Sequence, residues 1–234
     1  MMTQWNQTDR ARSIEKMFSR IAHRYELMNH LITFCQDVRW RQEVIKRADL
    51  PSTGRLLDIG AGTGDLAFEA LRRRAGCQVV AADFTLQMMK IGKTQRDKHN
   101  LFWCASDAHK LPFSENTFDA VISGFLIRNV HNISQALREQ YRALKPEGKI
   151  IILDTTPPSK NLLSPLINLH LHTVIPLLGQ IVTGDKLAYA YLSESTEHFL
   201  ESEKLAVCIV DAGFRDVGFK RMMLGTVAIH WGVK

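Results

Sequence analysis

The sequence predicts an α/β fold with a doubly wound, mostly parallel sheet, and three features of the 234-residue chain carry this prediction. Short apolar segments alternate with helix-like segments from about residue 55 onward. A glycine-rich turn, GAGTG, joins the first strand of this series to the first helix, and acidic residues follow the successive strands. Strands that alternate with helices of this length form parallel βαβ units, which place helices on both faces of one sheet.

The individual elements of the predicted sheet follow from local patterns. The strands are short apolar runs, in chain order RLLDIG, CQVVAAD, LFWCASD, FDAVISGF and KIIILD. The helices between them carry apolar residues at helical spacing, in DLAFEALRRR, LQMMKIGKTQRDK and ISQALREQYRALK, the last ending at PEG. Near the C-terminus, SEKLAVCIVDAGF is a helix stopped by Gly213. Two strands, DVGFKRM and TVAIHWG, follow without an intervening helix, so we expect a hairpin and one antiparallel strand.

Helical segments are also predicted on both sides of the sheet in the chain. Before it, apolar residues recur at three- and four-residue steps and form an amphipathic helix with one polar intruder, Asn29. The apolar positions are Phe18, Ile21, Ala22, Tyr25, Met28 and Ile32. After it, the insertion between residues 157 and 203 is too long for a simple loop in a compact sheet. We expect both segments to close over the carboxyl ends of the strands, where open α/β sheets bind ligands.

The composition limits the classes of partner and compartment. The net charge of +6 and the pI near 9.2 suit an acidic partner, either nucleic acid or an anionic membrane surface, although a solvated basic face accounts for them equally well. Four scattered cysteines form no C-x-x-C pair, which favours a reducing compartment. The N-terminus carries no apolar core of the signal-peptide type. These features predict a cytoplasmic protein.

One long apolar run, LLSPLINLHLHTVIPLLGQIV, is interrupted by prolines, histidines and amides. A spanning helix needs about 20 predominantly apolar residues, so this run is interpreted as a buried or interfacial segment. The same run holds the pair His170 and His172. No carboxylate or cysteine lies close to this pair in sequence, so no metal site is expected there.

The glycine-rich turn has two interpretations. Gly60, Gly62 and Gly64 lie between a strand and a helix, where glycine lets the backbone approach a ligand. The segment GTGDLA can be matched to the dinucleotide pattern G-x-G-x-x-A, which would indicate an NAD-dependent oxidoreductase. The longer pattern D-x-G-x-G-x-G begins with Asp58 at the strand end and is that of S-adenosylmethionine methyltransferases. An acid there would serve the amine and sulfonium of that cofactor.

Further acids follow the second and third strands. Asp83 ends the second strand and would accept hydrogen bonds from ribose hydroxyls in either cofactor. Under the methyltransferase interpretation, Asp107 receives the adenine amino group and Ala108 offers its backbone amide. Each acid alone could equally be a helix N-cap. Three such acids at successive strand ends favour a cofactor site.

The fourth strand ends in SGFLIRNV, with an arginine and an asparagine where the chain turns. Arg128 is either a solvated strand end or a group directed at a ligand. Arginine stays protonated, so it cannot act as a base, but it can stabilise a developing phenolate. The position at the carboxyl end of a central strand favours this second role, and Asn129 would orient a ligand oxygen.

Several strings resemble one known family. They are FSRIAHRYELMNHLITF, LLDIGAGTGDLA, DAHKLPFSENTFDAVISGFLIRNV, ALKPEGKI and YAYLSESTEHF. These are similar to the ubiquinone/menaquinone C-methyltransferases, which include demethylmenaquinone methyltransferase. The RYELMN, RNV and YAYLSES strings are more specific to that family than the glycine-rich turn.

The resemblance implies a seven-stranded Rossmann-like class I methyltransferase fold, with S-adenosylmethionine as donor and a prenylated benzoquinol or naphthoquinol methylated on a ring carbon. By position, the resemblance places Thr63, Asp83, Asp107 and Ala108 on the family's cofactor contacts. Together with the residues of the glycine-rich turn and the strand ends, the expected cofactor-binding residues are Asp58, Gly60, Gly62, Thr63, Gly64, Asp83, Phe84, Asp107, Ala108 and Gly124. The expected catalytic residues are Arg128 and Tyr25, and these two with Asn29 and Asn129 would bind the substrate. The proton acceptor stays open among Tyr25, Glu26, His131 and a water held by Arg128. Gly124 stands where many family members have serine, and LDTTPP, with Asp154, replaces a Glu-Phe-Ser run.

One domain over residues 1–234 is then expected. It comprises an N-terminal helical cap (1–50), a cofactor-binding core (51–155), a helical substrate-side insertion (156–204), and a final helix with the strand hairpin (205–234). We expect a cytoplasmic enzyme, peripheral at the inner face of the cytoplasmic membrane, without nucleic-acid binding, and a homodimer is compatible with the sequence. The alternatives are methylation of another phenolic or lipid small molecule and a non-catalytic cofactor-binding role in a quinone-synthesising assembly.

Overall fold

The computed structural model describes residues 7–95, 99–158, 162 and 164–234, with side chains from residue 12 onward. The helices are α1 (Gln7–Ile21), α2 (Tyr25–Ile32), α3 (Gln36–Ala48), α4 (Asp65–Arg73), α5 (Leu86–Gln95), α6 (Ile133–Ala143), α7 (Ser164–Leu169), α8 (Ile175–Thr183), α9 (Lys186–Glu197) and α10 (Ser202–Asp211). The strands are β1 (Arg55–Ile59), β2 (Gln78–Asp83), β3 (Leu101–Ala105), β4 (Phe118–Gly124), β5 (Leu144–Thr155), β6 (Arg215–Met222) and β7 (Val227–Val233).

These strands form one seven-stranded sheet in the order β3-β2-β1-β4-β5-β7-β6. The first five strands run parallel to one another, and β7 is antiparallel to both of its neighbours, β5 and β6. The predicted α/β class, the doubly wound parallel sheet and the single antiparallel strand are confirmed. The strand order reverses beside β1, so the carboxyl ends of β1 and β4 flank the crevice in which such sheets bind ligands.

The core lies on both faces of the sheet. Successive side chains of a strand point to opposite faces. Leu56 packs with Trp40 and Phe68 on one face, whereas its neighbour Leu57 packs with Val121 on the other. Both leucines are fully buried. A parallel sheet covered by helices on both faces explains why its strands are near-continuous apolar runs.

The cap differs from the prediction of a single amphipathic helix. A short 3₁₀ turn at Ala22–Arg24 separates α1 from α2, and Ala22 of this turn packs against Met88 and Ile91 of α5. Buried Ile21 and Met28 pack against Ile167 and Leu171 of the insertion. Tertiary packing, rather than the helical period, therefore sets where the helix breaks.

The boundary between α6 and β5 also differs from the prediction. The helix ends at Ala143, and Leu144 already pairs with Phe118 at the start of β5. The register then shifts, and Lys149 pairs with Ala120. The predicted helix end at Lys145 was wrong because β5 already begins at Leu144, and the PEG segment lies within the irregular first part of that strand. The predicted end of α5 at 96–98 lies outside the described residues.

The insertion is helical where it is described, although residues 159–161 and 163 of it lie outside the described part of the chain. A π-helical turn at His170–Val174 joins α7 to α8. The resulting Ser164–Thr183 segment is long and apolar enough to cross a membrane by length and composition, with a mean hydropathy of 1.3. One side of this segment is buried against the N-terminal cap through Ile167, Leu171 and Ile175.

Candidate active site

The glycine-rich turn lies between β1 and α4 and has left-handed backbone angles at its glycines. Gly60 has φ of 67° and Gly64 has φ of 90°, a region in which glycine is favoured. A Cβ at Gly64 would lie 2.8 Å from the ring of Trp103. The turn is thus fixed by backbone conformation and by close packing, and its Gly60 and Ala61 amides donate to the Ala82 carbonyl of β2.

Asp58, at the end of β1, is fully buried beneath this turn. Its Oδ2 accepts a hydrogen bond from the amide of Ala67 at 3.1 Å, whereas its Oδ1 has no partner among the described residues. Burial, followed by repulsion from Asp83, raises the pKa of Asp58 well above its ordinary value. A buried carboxylate oxygen without a partner fits a cationic ligand group, such as an ammonium or a sulfonium.

Asp83, at the end of β2, binds the glycine-rich turn itself. Its Oδ2 accepts a hydrogen bond from Gly62 at 2.7 Å, and its Oδ1 accepts one from Thr85 at 2.6 Å. Burial raises the pKa of Asp83, and these hydrogen bonds act against that rise. Each carboxylate oxygen can accept two hydrogen bonds, so the carboxylate keeps acceptor capacity for ligand hydroxyls. The sequence pattern did not predict that Asp83 also holds the turn.

Asp107 and Ala108 follow β3, and they differ in exposure. The Asp107 side chain is 54% exposed, whereas Ala108 is buried. His109 donates its backbone amide to Asp107 Oδ1 at 2.9 Å, and its Nδ1 contacts the same oxygen at 2.7 Å. Burial acts to raise the pKa of Asp107, but the contacts with His109 outweigh it and lower the pKa. Asp107 is therefore an ionised acceptor at the edge of the site.

A first cavity, of about 510 Å³, contains most of the predicted cofactor-binding residues in its lining. They are Asp58, Gly60, Gly62, Thr63, Asp83, Phe84, Asp107, Ala108 and Gly124. Gly64 is absent from this lining and instead packs under Trp103. Tyr25, Asn29 and Asn129 also line the first cavity, so the cap closes over the glycine-rich turn.

A second cavity, of about 570 Å³, lies between the cap and the insertion. Its lining is mainly apolar and includes Ile21, Leu166 and Leu171, together with the predicted catalytic residue Arg128. Four residues line both cavities and form their shared wall: Phe18, Tyr25, Asn29 and Phe125. The described structure thus brings a polar, acid-bearing chamber and an apolar chamber together at one boundary.

Arg128 does not face solvent, so its interpretation as a solvated residue at a strand end is wrong. Its side chain is 3% exposed, and Nη1 donates to Asp154 Oδ1 at 2.7 Å. Asp154 Oδ2 accepts the Arg128 backbone amide at 3.2 Å, so one carboxylate holds both ends of the residue. Arg128 Nε has no partner among the described residues. Because Arg128 is buried in the wall of the second cavity, this nitrogen is a donor suited to a ligand oxygen.

Tyr25 begins α2 and lies in the shared wall. Burial raises the pKa of its hydroxyl, and the Arg128 guanidinium acts in the opposite direction. The hydroxyl is therefore protonated at neutral pH, and it serves as a hydrogen-bond donor rather than as a base. Asn29, one helical turn later, lies near this hydroxyl and also acts to lower its pKa.

Asn129 connects this wall to the insertion. Its Nδ2 donates to the carbonyl of Phe125 at 3.1 Å, and its Oδ1 accepts a hydrogen bond from the Tyr191 hydroxyl at 3.1 Å. Tyr191, Asp154 and Phe125 were not predicted as site residues. Tyr191 lies in the family-like string YAYLSES, and Asp154 ends the predicted strand KIIILD. The sequence therefore drew attention to both residues, but it indicated no role for either. Phe125 gave no signal, because its left-handed φ of 58° appears only in the structure.

The comparison with protein families decides the assignment. A model of the ubiE/COQ5 methyltransferase family matches residues 3–234. The chain belongs to this family. A Desulfotalea psychrophila protein named ubiquinone/menaquinone biosynthesis C-methyltransferase UbiE is 47% identical over 94% of this chain and 90% of its own length. A Thermus thermophilus demethylmenaquinone methyltransferase is 38% identical over 92% of this chain and 99% of its own length.

Solved structures agree on the fold of the methyltransferase. A Thermotoga maritima S-adenosylmethionine-dependent methyltransferase, described as a possible histamine N-methyltransferase, has a TM-score of 0.65. It shares 20% identity over 94% of this chain and 99% of its own. The predicted class I methyltransferase fold is confirmed, and S-adenosylmethionine is the methyl donor of this enzyme. The unpartnered Asp58 oxygen in the first cavity fits the cationic part of that donor.

Proposed function

We propose that the methyltransferase transfers a methyl group to a ring carbon of a prenylated quinol. The observation that carries the proposal is the shared wall of the two cavities. The first cavity holds the acids suited to the donor, and the second offers an apolar volume suited to a prenyl tail. A quinol ring at Phe18, Tyr25, Asn29 and Phe125 would lie between them. The names of the relatives in the family support the same substrate class.

The chemistry requires an electron-rich ring carbon aligned with the methyl group. The donor supplies an electrophilic methyl on a sulfonium, whose carbon–sulfur bonding pair stays with sulfur when the new carbon–carbon bond forms. Holding the reactants in line supplies much of the rate, on the order of 7–11 kcal/mol in well-oriented reactions. The ring carbon then loses its proton to solvent water, which restores aromaticity, and S-adenosylhomocysteine is the leaving group.

The residues of the shared wall provide what the acceptor needs. Arg128 Nε, beside the shared wall, and the Tyr25 hydroxyl, within it, are donors, and both would stabilise the quinolate that forms when a quinol hydroxyl ionises and whose ring carbon then attacks the methyl group. Asn29 would orient the ring from the same side. Because Asp154 already pairs with Arg128, the site gains directed N–H donors rather than an excess positive charge.

The test is methyl transfer by the isolated protein. Labelled S-adenosylmethionine is incubated with reduced naphthoquinols and benzoquinols that carry a prenyl tail, and with the same rings without the tail. We expect labelled product with a prenylated quinol and a kcat/KM at least about tenfold lower without the tail, since each buried CH₂ contributes about 0.8 kcal/mol. Transfer to no quinol would contradict the proposal and favour a non-catalytic role. An equal kcat/KM for rings without the tail would contradict the proposal that the second cavity binds the prenyl tail.

We also propose that the enzyme docks peripherally on an anionic bilayer, from which the substrate tail enters the second cavity. Exposed apolar side chains surround that part of the protein, and we call them the apolar face: Phe34, Leu166, Leu169, Leu177, Ile181 and Leu187. Phe34 and Leu166 also line the second cavity. The face therefore meets the cavity where a lipid tail would enter.

Charge near one end of the apolar face supports a bilayer as the occupant. Arg24 donates to the carbonyl of Val182, next to Ile181, and exposed Lys186 adjoins Leu187. Arg20 also lies there but pairs with Asp185 at 2.8 Å, so Arg24 and Lys186 provide the net positive charge. Each basic group near an anionic surface contributes about 1 kcal/mol. An interfacial position suits Ser164–Thr183 better than a spanning one, because its other side is packed on the cap.

A further inference from the structure

Arg41 lies in the wall of the first cavity and was not assigned a role from the sequence pattern. It belongs to α3, and its side chain is 15% exposed. Its Nη2 pairs with Asp37 at 2.7 Å and with Asp65 at 3.0 Å. Asp65 is the first residue of α4, directly after the glycine-rich turn. The guanidinium is thus held beside the turn from two sides.

These contacts use only one nitrogen of the guanidinium. Arginine carries five N–H donors, and the two on Nη2 are directed at the carboxylates. Nε and Nη1 make no hydrogen bond to any described residue, although the group is mostly buried. Asp37 is itself fixed by Thr33 Oγ1 at 3.0 Å and by His30 Nδ1 at 2.7 Å. The position of Arg41 is therefore set without using its remaining donors.

The charge of the first cavity requires such a group if the methyl donor binds there. The methionine end of the donor carries an amine and a carboxylate on one carbon. An amine at Asp58 brings the carboxylate within a few ångströms of that acid and of Asp65, whose charges repel it. Among the described residues, the arginines lining this cavity are Arg12 and Arg41, and Arg12 is exposed on the surface of α1.

We propose that Arg41 binds the carboxylate of the methyl donor through Nε and Nη1. A planar guanidinium presents two parallel donors that match a carboxylate, and such charge-assisted pairs are stronger than neutral ones. Asp37 and Asp65 hold the fork in place, so little side-chain freedom is lost when the ligand binds. Charge effects on neighbouring groups agree with this location. The Asp65 charge raises the pKa of both Asp58 and Tyr25, and the Arg41 charge lowers the pKa of Tyr25.

The test compares three ligands by calorimetry, in the absence of any acceptor. S-adenosylhomocysteine carries the carboxylate, decarboxylated S-adenosylmethionine keeps the amine without it, and 5′-methylthioadenosine lacks both. Arg41→Gln is expected to weaken S-adenosylhomocysteine by about 10- to 100-fold, the range for a hydrogen bond to a charged group. The two ligands without a carboxylate should bind within about twofold of their affinity for the unmodified protein, because neither carries the group that Arg41 is proposed to bind.

Two further variants keep the result decisive. Arg39→Gln removes an exposed charge from the same helix and should change none of the affinities. Arg41→Lys keeps the charge beside Asp37 but lacks the planar fork, so it should fold even if Arg41→Gln does not, and it should weaken S-adenosylhomocysteine alone. An equal loss for all three ligands, no loss at all, or a selective loss in Arg12→Gln instead would overturn the proposal. None of these outcomes depends on the quinol, so they are separate from the proposed reaction.

Discussion

Arg128 and Asp154 form a buried ion pair at the carboxyl ends of two neighbouring strands. Arg128 follows β4 and Asp154 lies near the end of β5, and the two side chains are 3% and 0% exposed. Breaking a buried pair from one side leaves an uncompensated charge, which costs about 3–5 kcal/mol. The proposed catalytic role of Arg128 is therefore coupled to its effect on stability, and a rate measured on a single variant cannot separate the two.

The first prediction separates the two effects with a double variant. Arg128→Ala is expected to lower the free energy of unfolding by about 3–5 kcal/mol in urea titrations. Arg128→Met with Asp154→Asn removes both charges while the amide still accepts the backbone hydrogen bond, so most of that stability should return. Quinol methylation by the double variant should stay about 10²–10³ lower in kcat, as for the loss of an oxyanion donor.

The control for this prediction is the affinity for S-adenosylmethionine, which should be unchanged in the double variant because Arg128 lines the second cavity rather than the first. A folded double variant with normal turnover would show that the pair only supports the fold. Loss of donor binding together with turnover would also remove the catalytic role from Arg128.

The relationship between Arg128 and Asp154 illustrates which features the sequence predicted. The parallel sheet was predictable because its strands are apolar on both faces and alternate with amphipathic helices. The acids beside the glycine-rich turn were predictable because each follows one of the successive predicted strands along the chain. The partner of Arg128 was not, since Asp154 lies 26 residues away and the pairing depends on the register of β4 with β5.

The break in the cap was unpredictable for a different reason. The apolar period of Phe18 to Ile32 is continuous across the 3₁₀ turn at Ala22–Arg24. Ile21 and Met28 pack on the insertion, and Ala22 between them packs on Met88 and Ile91 of α5. The local apolar pattern predicts which side of a helix is buried. The position of the break instead depends on contacts with residues that are distant in sequence. One example is the contact between His170 and the Ile32 carbonyl, which are 138 residues apart.

The second prediction concerns pH and Asp58. Burial raises the folded-state pKa of this carboxyl above its value in the unfolded chain. An acid with a raised folded pKa destabilises the fold once it ionises, so stability without donor should fall as pH rises from the ordinary carboxyl value through the raised one, and stay low above it. Asp58→Asn should then raise the free energy of unfolding at neutral pH by about 1–3 kcal/mol, with no gain at acidic pH.

Donor binding should show the opposite dependence. The ionised carboxylate attracts the cationic part of S-adenosylmethionine, so affinity should rise with pH through the same window and become flat in Asp58→Asn. Urea titrations and calorimetry at several pH values between about 4 and 8 measure both quantities. A donor affinity that rises with pH equally in both proteins would assign the titration to another group, such as Asp83, whose pKa burial also raises.

The third prediction tests the link between the insertion and the site. Tyr191→Phe removes the hydrogen bond to Asn129 Oδ1 without changing the size of the ring. A neutral hydrogen bond contributes about 0.5–1.5 kcal/mol, so kcat/KM for a prenylated quinol should fall by about 2- to 10-fold. Steady-state kinetics with varied quinol gives this value, and the affinity for the donor should not change.

A matched control is Tyr141→Phe, because Tyr141 packs against Phe214 and lines neither cavity. It should leave kcat/KM at the unmodified level. If Tyr191→Phe behaves like this control, the contact with Asn129 has no part in placing the acceptor.

The last prediction concerns the apolar face. Ile181 and Leu187 are 69% and 78% exposed, next to Arg24 and Lys186, cations that form no ion pair with a described residue. Burying such a side chain in the interface contributes up to about 1.5–3 kcal/mol, and each cation adds about 1 kcal/mol. The protein should float with vesicles that contain anionic lipid at low salt, and high salt should weaken this binding because it screens the cations.

The double variant Ile181→Glu with Leu187→Glu should reduce the bound fraction at least about tenfold, since it replaces apolar contacts with charges that the anionic surface repels. Val207→Glu changes another exposed apolar residue, 57% accessible, on α10, and this variant should bind as the unmodified protein does. If all the proteins stay in the lipid-free fraction, or if Val207→Glu detaches as readily as the double variant, the bilayer does not meet the enzyme at this face.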